Sequence, residues 1–290
     1  MRQVTIKDIA KELGISPSTV SRALKDHPDI SPDTKKAVNK LAEELNYQPN
    51  SIALSLRQSK SNTIGVIIPE IVHFFFSTVI AGIEDVAYEA GYSVIVSQST
   101  ENYEREVMDT KALFNNRVDG MLVSVSRETQ NFDHLISIYK RGMPIVFFDR
   151  ICNAIDCSQV VVDDFDGAFK ATEHLIKQGY QRIVHLGGPT NLEIHKNRLE
   201  GYKAALQQYG RKIDDGLIFT DHSSDDDENA REITSMLLDS TNPPDAMFAI
   251  NDISALGAMR AAKERNLSIP RDFAIIGFSN WRFTALTEPP

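Results

Sequence analysis

Ser18 and Arg22 stand four residues apart in GISPSTVSRAL, residues 14–24, and on a helix that spacing puts them on one face. An arginine fork there can grip a guanine edge through two hydrogen bonds, and short hydroxyls such as Thr19 and Ser21 suit phosphate oxygens. Ser16 is a helix cap and Pro17 fits a first helical position, so the stretch opens a helix. Its Ser18, Thr19, Ser21 and Arg22 face outward, and Val20, Ala23 and Leu24 inward. A solvated face without a partner is the alternative reading of the same polarity.

A second set of chemistry-bearing residues follows apolar runs that read as strands. These are Ser126 after LVSV, Asp149 after IVFF, Asp164 after QVVV, the GGP at 187–189, and Asp252 after MFAIN, with Arg198 in NRLEGY. Aspartates accept from paired hydroxyls and arginine donates in a fixed fork, which is what a hydroxyl-rich small molecule needs. Phe74 and Phe75 of HFFF would add an apolar wall. Taken singly, an aspartate in such a place is more often a helix cap or a strand-end turn than a ligand group, and the case for a cleft rests on the set.

The elements that must hold these residues are legible. TIKDIAKEL gives a first helix capped by Thr5, with Asp8 completing a box and Ile6, Ile9, Ala10 and Leu13 inward; Gly14 then suits a left-handed turn. SPDTKKAVNKLAEELNY gives a third helix that buries Ala37, Val38, Leu41, Leu45 and Tyr47. Two short helices around a tight turn, with a third packed across them, is the helix-turn-helix plan, whose second helix enters the major groove. Beyond Pro49, Asn50 can cap a brief helix, SIALSL, too short to hold alone in water. Its aliphatic side chains suit a minor-groove wedge, and a plain linker is the alternative. From residue 63 onward, nine near-continuous apolar runs alternate with helical stretches, which predicts parallel sheets covered on both faces and, by their number, two lobes. In such sheets ligands bind beyond the carboxyl ends of the strands.

Composition narrows the classes. The 290 residues carry a net charge of −9, yet residues 1–60 hold 10 Lys/Arg against 7 Asp/Glu and the remainder 21 against 33. A mildly basic head thus sits on an acidic body that repels phosphates and leaves nucleic-acid contact to the head. No stretch reaches the roughly 18 apolar residues of a membrane span, and the start lacks the apolar core of a secretory signal, which points to the cytoplasm. Cys152 and Cys157, in CNAIDC, read as bystander thiols ahead of a redox switch, and two cysteines without further ligands make no zinc site. No cofactor or metal is expected. GGPTN lacks the Lys-Ser/Thr of a phosphate loop, no G-x-S-x-G elbow occurs, and the seven histidines show no paired-ligand spacing. An enzyme acting on sugars and a free sugar-binding protein are therefore the weaker alternatives.

The motifs VTIKDIAKELGISPSTVSRAL, Y-x-P-N-x-x-A-x-x-L at 47–56 and TIGVIIP, in that order and spacing, resemble the lactose repressor/purine repressor family of bacterial transcription regulators. The likeness runs along essentially the whole chain. It implies an all-α helix-turn-helix domain over 1–47 and a hinge helix and linker over 48–62. A two-lobed, periplasmic-binding-protein-like α/β core would follow over 63–160 and 161–290. It also implies a repressor binding a two-fold operator as a homodimer, controlled by an effector between the lobes, often a sugar or sugar phosphate. Carried over residue by residue, Pro17, Ser18 and Arg22 match base-reading positions, and Ala53 and Leu56 match hinge positions that enter the minor groove. Asp149, Arg198 and Asp252 match effector-holding positions, with Ser126 and Asp164 as weaker matches. The chain departs from the family at Pro17, at HFFF, at GFSN in place of the commoner GFD, and at DHSS (221–224), which offers no large aromatic. It also ends at FTALTEPP, where the family sends strands and a helix back through both lobes, so an unpaired sheet edge is expected.

Overall fold

The structure is a computed structural model that describes residues 4–47, 60–72, 74–220 and 226–289. Asn50, Ala53, Leu56 and the DHSS stretch at 221–224 lie outside the described residues. The chain forms two compact units, Met1–Ser61 and Asn62–Pro290. No described helix is long and apolar enough to cross a membrane.

In the first unit each helix begins at a residue that satisfies its open N–H groups. Helix α1 (Ile6–Glu12) opens with a capping box in which the Asp8 carboxylate accepts from the Thr5 backbone N–H at 2.9 Å and from Thr5 Oγ1 at 2.6 Å. Helix α2 (Pro17–Ala23) is capped by Ser16, whose Oγ accepts from the Thr19 N–H at 3.1 Å. Helix α3 (Pro32–Glu44) is capped by Ser31 in the same way. Gly14, at φ +64°, makes the turn between α1 and α2 that a side chain would strain. Ile9, Ala10, Val20, Ala23, Val38, Leu41 and Ala42 form the core of the three helices. Ala37, expected inside, is exposed and Ala42 is buried in its place. Val38, Leu41, Ala42 and Leu45 are spaced three and four apart, and Ala37 falls on the flank of that stripe, about 90° from its centre.

The second unit contains two parallel sheets. One is ordered β2-β1-β3-β4-β5, from β1 (Thr63–Ile68), β2 (Ser93–Gln98), β3 (Gly120–Val123), β4 (Ile145–Phe148) and β5 (Gln159–Val160). The other is ordered β7-β6-β8-β9, from β6 (Ile183–Leu186), β7 (Ile218–Phe219), β8 (Ala246–Ala249) and β9 (Ala274–Ile276). Helices α4 (Phe74–Glu89), α5 (Tyr103–Asn115) and α6 (Asp133–Lys140) connect the first sheet, and α7 (Asp164–Lys177), α8 (Glu193–Gln208), α9 (Asp227–Leu238) and α10 (Asp252–Glu264) the second. All nine apolar runs hold strands, but not all are covered. Val66, Ile67 and Ile68 of β1 are fully buried, whereas the edge strand β2 leaves Ile95 and Val96 exposed, and Val160–Val162 are exposed from β5 onward. A strand at a sheet edge lacks the neighbour that would cover it, so an unbroken apolar run does not guarantee two-sided burial.

The second sheet's helices pack pairwise, α7 on α8 and α9 on α10, and both pairs close through a glycine. A Cβ on Gly201 would collide with the Phe165 carbonyl and press on Ala168; one on Gly257 would collide with the Asp227 carbonyl and Ala230. Helix propensity alone favours alanine over glycine by ~1 kcal/mol, while forcing extra volume into such a contact costs about 1–3 kcal/mol. Gly201→Ala is therefore expected to lower the urea midpoint. Gly82→Ala, in α4 with nothing within 4 Å of its Cβ position, should leave that midpoint unchanged or raise it.

Candidate functional site

In the helix-turn-helix unit, Pro17, Ser18 and Arg22 are exposed on α2, while Thr19 and Ser21 are half-buried. The hydroxyls are partly engaged in the cap: Ser16 Oγ lies 2.6 Å from Ser18 Oγ and 2.8 Å from Thr19 Oγ1. The exposed groups on this face are thus the Pro17 ring, the Ser18 hydroxyl and the Arg22 guanidinium, clustered on the first turns of the second helix. Thr5 is engaged with Asp8 at the start of α1.

In the second unit a cavity of about 410 Å³ opens at the carboxyl ends of the strands and is lined from both sheets. The segment after β4 contributes Phe148, Asp149 and Arg150, and α4 contributes Phe75, Phe76 and Val79. From the other sheet come Asp164 of α7, His195 and Arg198 of α8, and Phe278 and Trp281 after β9. A cavity this size, mostly apolar with a few convergent polar groups, fits a small-molecule site.

Arg198 is buried, and three of its five N–H donors are engaged. Nε and Nη2 donate to Asp164 Oδ1 at 2.8 and 2.7 Å, Nη1 donates to the Ile250 carbonyl at 2.6 Å, and the guanidinium lies 3.8 Å from the Phe278 ring centroid. Burial raises the Asp164 pKa above the ordinary carboxylate range, against the pull of Arg198. Arg150 Nη1 lies 2.8 Å from both oxygens of Glu101, which also accepts from the Arg127 N–H at 2.7 Å. Asn191 Nδ2, before α8, donates to the Arg127 carbonyl at 2.7 Å and so ties the two sheets' loops together.

Asp149 is the least compensated carboxylate of the cavity: Arg150 Nε is 3.9 Å from its Oδ2. Burial pushes its pKa up to about 6, with Asp164 and Glu101 adding to the rise and Arg150 and Arg198 opposing it. His195 moves the other way. Burial, together with Arg150, Arg198 and Arg127, lowers its pKa to about 3, so it is neutral. Its Nδ1 lies 3.0 Å from the Pro189 carbonyl and donates to it, which leaves Nε2 as an acceptor. The glycine pair before Pro189 has a packing role, because a Cβ on Gly188 would press into the His195 ring at 2.6 Å.

Of the strand-end residues singled out in the sequence, Phe75, Asp149, Asp164 and Arg198 meet in this cavity. Phe74 stands just outside, exposed, with its ring 6.3 Å from that of Trp281. Two residues do not reach the cavity. Ser126 is completely buried: its N–H donates to Glu106 Oε2 at 2.6 Å and its Oγ to Ser99 Oγ at 2.7 Å, so it fastens the loop after β3 to α5. Asp252 is buried at the start of α10, where Oδ2 accepts from the Trp281 N–H at 2.7 Å. It thereby positions a cavity residue without lining the cavity itself.

Residues 5–50 match the family described as bacterial regulatory proteins, lacI family, and residues 61–289 match the periplasmic binding proteins and sugar binding domain of the LacI family. The chain belongs to the LacI family. Catabolite control protein A of Priestia megaterium is 34% identical over 288 residues, 99% of this chain and 85% of that protein. The HTH-type transcriptional repressor CytR of Escherichia coli K12 is 34% identical over 286 residues, covering 99% and 83%. The crystal structure of the Lac repressor dimer bound to operator and the anti-inducer ONPF superposes with a TM-score of 0.84 at 26% identity, covering 98% of this chain and 84% of that one.

For a LacI-family chain the sequence reading missed several cavity residues. His195 was signalled by its place three residues before Arg198, on the same face of α8. Arg150 was signalled by adjacency to Asp149. Nothing local marked Phe278 or Trp281, which are brought in by chain that follows the last strand.

The raised pKa of Asp149 has a consequence for stability. The unfolded carboxyl ionises near 3.8 and the folded one near 6, so the folded state loses relative stability as pH rises between those values and is penalised by as much as ~3 kcal/mol above them. Asp149→Asn should therefore unfold at a higher temperature than the parent chain at pH 8, with the difference shrinking as pH falls and gone below about pH 3, beneath both values. The neutral His195 destabilises both chains alike in acid and cancels from the comparison. A constant offset across that range would show that the carboxyl is not perturbed.

Proposed function

We propose that this chain represses transcription by binding a two-fold operator as a homodimer, with Pro17, Ser18 and Arg22 reading bases and an effector in the cavity controlling affinity. The observation that carries this reading is the combination, in one chain, of an exposed polar face on α2 and a cavity lined from two parallel sheets. Its relatives include the repressor CytR, and its structural neighbours the Lac repressor bound to operator and a CelR–cellobiose complex. Thr5, Ser16, Thr19 and Ser21 supply backbone contacts, the first two as the caps of α1 and α2. Ala53 and Leu56, in the 48–62 hinge segment, insert into the minor groove, with Asn50 at the DNA as the cap of that segment. Phe75, Asp149, Asp164 and Arg198 hold a sugar-like effector, with Phe74, Ser126 and Asp252 supporting the rim and loops. Residues 1–47 thus read DNA, and 63–160 and 161–290 form the two lobes. The chain acts in the cytoplasm, where its DNA is, and carries out no reaction of its own; its relatives are regulators.

An effector can change operator affinity only by favouring one arrangement of the lobes over another. Fluorescence anisotropy on a duplex pool with randomised palindromic half-sites tests the reading. The chain should select a two-fold site. Arg22→Ala should weaken it by about 1–3 kcal/mol and relax preference at the guanine it reads. Leu56→Ala should weaken binding to bent or kinkable sites. Binding that selects no site and vanishes with added salt would defeat the assignment, since only phosphate attraction would then be present.

A further inference from the structure

We propose that the Asn191 side chain is a clasp that holds the two lobes in one arrangement before any ligand enters the cavity. The clasp goes beyond the effector reading, because it lies in the chain itself and does not depend on what the cavity binds. Asn191 does not line the cavity, so its role is to position the lobes.

The acceptor end of the clasp is the Arg127 carbonyl, and the first lobe holds that loop residue by residue. The Ser126 N–H donates to Glu106 Oε2 at 2.6 Å and the Arg127 N–H to Glu101 Oε2 at 2.7 Å. Glu128 Oε2 accepts from Asn102 Nδ2 at 3.0 Å and from the Tyr103 N–H at 3.3 Å. Glu101 is itself fixed by Arg150 Nη1 at 2.8 Å. The turn that delivers Glu101 is an enforced one. Thr100 and Glu101 stand at φ +54° and +57°, a region that a β-branched residue avoids unless its surroundings impose it. The Asn102 N–H closes that turn on the Ser99 carbonyl at 3.1 Å, and Thr100 Oγ1 accepts from Arg105 Nη1 at 2.9 Å. The Arg127 carbonyl is therefore presented at a fixed point.

The donor end belongs to the other lobe. Asn191 is exposed, and the residues on either side of its loop are anchored: His195 Nδ1 donates to the Pro189 carbonyl at 3.0 Å, and Leu192 is buried. An exposed asparagine ordinarily bonds its own loop or water. Here Nδ2 reaches a backbone acceptor 64 residues away, across the boundary between the lobes, at 2.7 Å. A second contact joins the lobes without a ligand. The Phe74 ring, at the start of α4, lies 6.3 Å from that of Trp281, whose backbone N–H is held by Asp252.

One hydrogen bond shifts a two-state ratio by about 2- to 10-fold. That is enough to bias the lobes toward the clasped arrangement, and small enough for a ligand that prefers another arrangement to override it. The clasp thus sets the starting point from which the cavity's occupant moves the lobes.

Trp281 is the only tryptophan of the chain, is carried by the second lobe and faces Phe74 of the first, so separation of the lobes exposes it to acrylamide. Quenching is measured on the full chain without DNA or ligand. Asn191→Asp keeps the shape but sets an acceptor against the carbonyl, and should raise the quenching constant at least ~2-fold. Asn191→Ala should raise it less, and Asn191→Gln, which keeps the donor, should stay near the wild type. Thr190→Ala, on the same exposed loop, should leave it unchanged, and the urea midpoints of all four variants should stay together. The proposal is overturned if Asn191→Asp quenches like the wild type, if Asp, Ala and Gln at this position raise quenching equally, or if Thr190→Ala matches Asn191→Asp. Operator anisotropy on the same variants tests the effector reading separately. Unchanged operator affinity in a variant whose lobes have opened defeats control through lobe arrangement and leaves the clasp standing.

Discussion

A guanidinium taken out of water needs hydrogen-bonding and charge partners, and Arg198 finds them on three different segments. Asp164 comes from the start of α7, the Ile250 carbonyl from the end of β8, and the Phe278 ring from the chain after β9. The second lobe's ligand-facing surface is the set of things that satisfy this one side chain. Gly201 lies three residues along the same helix and brings α7 close enough for Asp164 to reach. Asp252, at the start of α10, extends the arrangement by fixing the Trp281 backbone. Buried ion pairs add little net stability over an apolar core, so their value here lies in fixing geometry.

The first lobe solves the same problem with a buried carboxylate. Glu106 of α5 is completely buried and accepts from the Ser126 N–H at 2.6 Å, Thr129 Oγ1 at 3.0 Å and His134 Nε2 at 3.0 Å. Glu101, two residues before α5 begins, takes Arg150 and Arg127. Both lobes thus hold their strand-end loops with paired charges, and Asp149 lines the cavity between them with only a long approach to Arg150. That division suits a switch, because rigid lobes can change their mutual angle without losing internal contacts.

Local physics explains what was legible. Caps, proline positions, the Gly14 turn and the apolar stripes act over a few residues, so the three helices and nine strands could be read directly. The error at Ala37 is of the same local kind, a stripe misjudged by one position. The exposed edge strands were a different matter, since whether a strand lies inside a sheet depends on strands far away in sequence.

The candidate site divides along the same line. The amino-acid sequence by itself determined the helix-turn-helix unit, the exposed Ser18 and Arg22 on its second helix, and the placing of Asp149, Asp164 and Arg198 at strand and helix ends, because each follows from spacing within a single element. Only the tertiary structure decided which strand-end groups face the ligand. Ser126 turns inward to Glu106, 20 residues away, Asp252 to Trp281, 29 away, and Arg198 to Asp164, 34 away. A polar side chain that leaves water takes whatever partner the fold brings within reach, and that choice is made across the chain and not along it.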